Sequence, residues 1–148
     1  MNLEEEAKLN FNSGYNCAES VSLAVSKQLG RVKQRSMSCV PRIATGFGGG
    51  VARNGDICGS LAGAIMAISL ALGRDNPDQS RDPCYDAADR FYGEFVKAFG
   101  SSKCRELTGL DLKKPDQREA YQNRIHVERC SPIVAWSAKR AYEIIRKA

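Results

Sequence analysis

Apolar positions along this chain recur at steps of three and four almost throughout. Ala18, Val21, Val25 and Leu29 form one such face. Tyr85, Ala88, Tyr92, Phe95 and Phe99 form a second, and Val134, Ala138, Ala141 and Ile145 a third. That spacing follows the helical turn and predicts amphipathic α-helices. No run alternates apolar and polar residues long enough to predict a strand. Gly30, Gly73, Gly100 and Gly109 each follow a periodic segment, as helix C-terminal caps do. The pattern predicts helices near 2–12, 16–29 and 38–47, then a glycine-rich turn and a long central helix over 57–72. Further helices are predicted near 83–99, 103–108, 115–123 and 131–147, with the polar stretch 74–82 as a loop.

The central helix differs from the others. Gly59, Gly63, Ala67 and Ala71 stand at successive fourth positions, and Leu61, Ile65, Ile68 and Leu72 occupy the opposite side. A helix apolar all round belongs inside a bundle. Its small-residue side makes a shallow groove into which another backbone can come close, from this chain or from a second copy. A homodimer is therefore one expectation. The segment from Ile57 to Gly73 carries no charge, yet it sits at the short end of what crosses a bilayer and contains serines and glycines. It reads as a core helix. The fold class expected is all-α, a single-domain helical bundle over 1–148 built round this buried helix.

Composition agrees. The 148 residues are 43% hydrophobic, enough for a real core without disulfide staples. The net charge of +5 permits anionic partners, but the lysines and arginines are interleaved with acids and no basic block is flanked by aromatics. Neither nucleic acid nor membrane is an expected partner. The start, Met1-Asn2-Leu3-Glu4-Glu5-Glu6, is acidic and has no apolar export segment. The cytoplasm is the expected compartment, where thiols stay reduced.

That matters because the chain has six cysteines, nearly all where a helix is predicted to begin. Asn16-Cys17-Ala18-Glu19 reads as an N-cap followed by a glutamate. Ser38-Cys39, Asp56-Ile57-Cys58, Asp82-Pro83-Cys84 and Ser101-Ser102-Lys103-Cys104 put cysteines in first turns, and Cys130 precedes Ser131-Pro132. Free N–H groups and the helix dipole stabilise an anion there, so such thiols are expected to ionise more easily. No pair has the C-x-x-C spacing of a zinc ribbon or thioredoxin motif. A site must therefore be assembled from separate segments. The plain alternative is that these are small buried residues.

Gly46-Phe47-Gly48-Gly49-Gly50 lacks the Gly-Lys-Ser/Thr of a phosphate loop. It reads either as a flexible connection or as backbone passing close to something anionic, its N–H groups making a concave donor site near Cys58. His126, the single histidine, lies in a charged segment and is expected at the surface. Asp86, Asp89 and Glu94 read as a solvated face, Asn16, Asp56 and Asp82 as N-caps, and Arg140 as a complement to the helix dipole.

Taken in order, Tyr15-Asn16-Cys17-Ala18, Gly46-Phe47-Gly48-Gly49-Gly50, Cys58-Gly59-Ser60-Leu61-Ala62-Gly63, Lys103-Cys104-Arg105-Glu106-Leu107 and Arg129-Cys130 resemble the C_GCAxxG_C_C family of small redox-active proteins. The resemblance spans about residues 11 to 137, with Ser60 standing where an alanine is expected. It implies four family cysteines, Cys17, Cys58, Cys104 and Cys130, with Cys39 and Cys84 as extras. It also implies a prosthetic group, an iron–sulfur cluster first. Covalent haem has no support, since no Cys-x-x-Cys-His is present.

The leading expectation is an electron-transfer protein serving a redox partner protein. The four family cysteines would be thiolate ligands, with Gly48, Gly49, Gly50 and Gly59 lining the cofactor. Two alternatives stand beside it. One is a thiol–disulfide protein or sensor without metal, attacking through Cys58. The other is a structural zinc site in an interaction module.

Overall fold

Reciprocal capping fixes where the first two helices begin. The Asn16 side chain accepts from the Glu19 N–H at 2.9 Å, and the Glu19 carboxylate accepts from the Asn16 N–H at 2.8 Å. Asn2 and Glu5 form the same box one helix earlier. The computed structural model describes residues 1–30 and 39–148. Helices α1 (Leu3–Asn12) and α2 (Cys17–Leu29) are followed by a 3₁₀ turn (Arg42–Phe47), α3 (Gly59–Leu72), α4 (Asp82–Phe99) and α5 (Cys104–Thr108). Then come α6 (Pro115–Ala120), a π-helical segment (Tyr121–Cys130) and α7 (Ser131–Lys147). Among the described residues there is no strand, so the all-α expectation holds. None of the described helices is long and apolar enough to cross a membrane.

Helix α3 is the hub. It packs against α2, α4 and α7, while α1 lies across α2 and α7. Leu61, Ala64, Ala67 and Ile68 are fully buried on it, although Ser69 and Leu70 at its far end reach solvent. The small-residue groove is filled from within the chain. A methyl group on Gly63 would run into the Ala18 carbonyl, so only glycine lets the α3 backbone come this close to α2.

Several predicted boundaries move, each for a local reason. Of the helix expected over 38–47, Ser38 lies outside the described residues. The chain turns at 39–41 and only a 3₁₀ turn follows, since a proline disfavours helical backbone at the residue before it, here Val40. Cys58 rather than Asp56 is the N-cap of α3, and Arg81 rather than Asp82 is the N-cap of α4. The separate helices expected at 115–123 and 131–147 are one continuous rod, because the π segment bridges the gap.

The α4 stripe is also rotated from its expected place. Tyr85 and Tyr92 are 59% and 44% exposed, while Ala87, Phe91 and Phe95 are buried. Phenylalanine wins the inward positions because it buries a ring without a hydroxyl that needs a partner. Phe91, Phe95 and Phe99 all meet Trp136 of α7, with ring centroids 5.7, 6.1 and 5.1 Å away.

Glu94 is not part of a solvated face, and Arg140 is not merely a dipole complement. The Arg140 guanidinium grips both carboxylate oxygens of Glu94, tying α7 to α4, and also donates to Glu143 at 2.9 Å. Arg90 adds a bond to Glu94 at 3.2 Å. These donors, Arg140 first, hold the Glu94 carboxyl down from its usual 4.5 to about 2. A carboxyl whose pKa is depressed by folding contributes stability above its unfolded value and loses it as pH falls through its folded value. The melting temperature of the native chain is therefore expected to fall more steeply than that of Glu94→Gln between about pH 4.5 and 2, the two curves converging at the acid end. Parallel curves across that window would show that the pair contributes nothing.

Candidate functional site

Four of the six cysteines line one cavity of about 600 Å³. Cys17 is the first residue of α2, Cys58 the N-cap of α3 and Cys104 the first residue of α5. Cys130 closes the π segment. Its place departs from the expectation of four free helix starts, because the following N–H, of Ser131, is already bonded to the His126 carbonyl. Cys39 is exposed and outside the cavity. Cys84 is also outside it, on α4, with its thiol 3.6 Å from the Ser69 hydroxyl.

Two short connections set the relative places of these segments. Residues 56–58 run antiparallel to 102–104. Cys58 N–H donates to the Ser102 carbonyl and Cys104 N–H to the Asp56 carbonyl, both at 2.7 Å. This backbone clamp brings Cys58 and Cys104 together. The second connection is glycine at Gly59, where an added Cβ would overlap the Cys17 sulfur. Removing the side chain there makes room for Cys17 beside the start of α3.

The glycine loop is unlike a flexible linker. From Gly49 to Arg53 five successive residues take left-handed backbone angles, with φ of 66, 71, 62, 48 and 68°. Val51, Ala52 and Arg53 do so without being glycine, at a cost of roughly 1–2 kcal/mol each. The turn is held by its own backbone. Arg53 N–H reaches the Gly48 carbonyl at 3.2 Å, Gly55 N–H reaches Gly49 at 3.1 Å, and Asp56 N–H reaches Gly50 at 2.9 Å.

The four expected glycines divide the work. The Gly49 amide stands beside Cys17 and favours its thiolate. Gly48 leaves room for the Asn16 side chain, which a Cβ would meet at 2.7 Å. Gly50 lies against the Cys104 Cβ at the same distance but does not line the cavity, unlike Gly48, Gly49 and Gly59.

The thiols do not ionise easily, against expectation. Burial is the first cause in every case, and it pushes Cys17 and Cys58 up, Cys104 to about 11 and Cys130 to about 12. Neighbouring sulfurs add to this at Cys17, Cys104 and Cys130. Opposing it, the Leu61 and Ser60 amides at the start of α3 favour the Cys58 thiolate, and Arg129 lowers Cys58 and Cys130. Desolvation outweighs the helix-start field because a thiolate in an apolar wall loses its water.

The π segment supplies two residues that sequence reasoning did not place here, Tyr121 and His126. The Tyr121 hydroxyl stands beside Cys130 and favours its thiolate. His126 is half-buried instead of exposed, stacked on Phe11 with centroids 3.8 Å apart and planes 6° from parallel. Tyr121 meets the same imidazole edge-on at 5.7 Å. In an α-helix, at about 100° per residue, Tyr121 and Cys130 would stand on opposite sides. The wider i→i+5 winding puts them on one. No periodicity in the sequence signals it.

Chemically the cavity suits soft metals. Thiolate donors select zinc, Cu(I) and iron–sulfur centres, and backbone N–H groups are ready for sulfur. Among the described residues, however, no three His, Cys, Asp or Glu side chains are arranged as a cage for a single ion.

The family model described as "Putative redox-active protein (C_GCAxxG_C_C)" matches residues 15–144. An uncharacterized protein of Archaeoglobus fulgidus is 34% identical over 117 residues, covering 73% of this chain and 76% of that one. No solved structure matches.

Two outcomes follow. Alkylation of the reduced chain by iodoacetamide, read by mass spectrometry, is expected at Cys39 first. Cys104 and Cys130 should stay slow through pH 9 and speed up about tenfold per pH unit towards about 11 and 12. Fast labelling of either at pH 7 would contradict the burial argument. Ala52→Gly relieves one left-handed residue and is expected to stabilise the fold by about 0.5–1 kcal/mol in denaturant melts.

Proposed function

The chain belongs to the C_GCAxxG_C_C family, and from that premise we propose that it binds an iron–sulfur cluster through Cys17, Cys58, Cys104 and Cys130 and exchanges electrons with a partner protein. One observation supports this above the others. The four family cysteines come from four separate segments and line a single cavity, while Cys39 and Cys84 stay outside it.

When bound, such a cluster supplies reversible electron storage. The residues of the chain do the rest. The four thiols would give up their protons on binding, and bonding of sulfur to metal would offset the cost of placing thiolates in an apolar wall. The Gly49 amide would donate to a Cys17 thiolate, the Ser60 and Leu61 amides to Cys58 and the Tyr121 hydroxyl to Cys130. Hydrogen bonds to ligand sulfur stabilise the more negative, reduced state and raise the potential. Arg129, anchored by bonds to the Leu107 and Phe99 carbonyls at 3.0 and 3.3 Å, adds positive charge at Cys58 and Cys130. A reducing cytoplasm fits free thiols in this number.

A metal-free thiol–disulfide protein is less well supported, since burial removes the low-pKa attacking thiol that the reading needs. The deciding experiment is anaerobic reconstitution with ferrous iron and sulfide. The native chain is expected to retain iron and acid-labile sulfide. Serine at Cys17, Cys58, Cys104 or Cys130 should lose most of both, and serine at Cys39 or Cys84 should lose neither. A colourless chain holding zinc, or a metal-free one cycling between dithiol and disulfide, would overturn the proposal.

A further inference from the structure

The cavity is larger than its sulfur wall, and its remaining lining has a charge pattern that the thiols do not explain. Arg53, Arg118 and His126 line it, and among the described residues no aspartate or glutamate does. Arg53 is presented by the strained left-handed loop at φ 68°. Its stem lies across Gly49, where an added Cβ would meet the Arg53 Cγ at 3.1 Å. Arg118 is half-buried and fixed by Nη1, which donates to the Leu112 and Lys113 carbonyls at 2.9 and 3.0 Å. Neither arginine has a carboxylate partner among the described residues. By contrast, Arg105, Arg124 and Arg140 are each paired with an acid.

We propose that Arg53 and Arg118 form a binding site for a small carboxylate or oxyanion in the part of the cavity beside the four sulfurs. Two guanidinium groups in a concave, carboxylate-free site are suited to a planar or tetrahedral anion, because each offers paired N–H donors. The volume falls within the range of small-molecule sites. The arginines acting on the thiols are others, namely Arg129 at Cys58 and Cys130 and Arg105 at Cys104. Asn16, whose amide donates to the Thr45 carbonyl at 2.9 Å, lines the cavity between the loop and Cys17 and adds a neutral polar wall. The inference shares the cavity of the cluster reading but does not depend on the cluster.

The test uses the full chain, reduced and metal-free, so that it stands apart from cluster loading. Acetate, succinate and sulfite are titrated at low ionic strength, with glycerol as the neutral control. Binding is followed by calorimetry and by the NMR signals of the arginine Nε–H groups. Saturable one-site binding of at least one anion is expected, weakened about tenfold by Arg53→Gln and by Arg118→Gln and unchanged by Arg81→Gln. Arg118→Lys, which keeps the charge, should recover part of the loss. If Arg118→Gln unfolds, Arg53→Gln decides. No saturable binding of any of the three anions, or binding indifferent to both arginines, overturns the proposal.

Discussion

Everything at the sulfur end of this molecule depends on how closely α3 can approach the beginning of α2. Two glycines one turn apart set that distance. Gly63 takes the backbone of Ala18, and Gly59 takes the Cys17 sulfur. With ordinary side chains the helices would separate, and Cys17 would leave the neighbourhood of Cys58. The close approach is stabilised by the apolar side of α3, where Leu61, Ala64 and Ile68 are fully buried against the bundle. A packing feature usually associated with helix association thus acts here to bring two thiols together.

The second organising fact is a contest between two fields. Helix starts favour thiolates, and three of the four cysteines sit at one. Burial opposes them and wins, so the thiols keep their protons. The donors beside the sulfurs, on Gly49, Ser60, Leu61 and Tyr121, are then partners suited to negative charge. Such an arrangement suits a ligand that replaces protons with metal and keeps water out.

Much of this was legible in the chain, and the parts that were not have identifiable causes. Helix periodicity located α2, α3 and α7, and the four family cysteines were named from their order with the glycine loop. Misplaced features involve backbone states that side-chain patterns do not encode. Val51, Ala52 and Arg53 are unremarkable residues that nonetheless take left-handed angles. The clamp between 56–58 and 102–104 is too short to show an alternation. His126 looked exposed because its neighbours are charged, yet one ring face lies on Phe11. The stripe on α4 was misread because Tyr85 and Tyr92 counted as apolar, though their hydroxyls keep them at the surface.

The π segment carries a constraint of its own. An i→i+5 ladder keeps Tyr121, His126 and Cys130 in line only while the number of residues between Pro115 and Ser131 stays fixed. Losing a single residue there would let the rod tighten towards the commoner α winding and swing the phenol away from the thiol it serves. Substitutions along this stretch are thus tolerable in a way that a one-codon deletion is not, and lineages carrying the site should vary here in spelling but not in length.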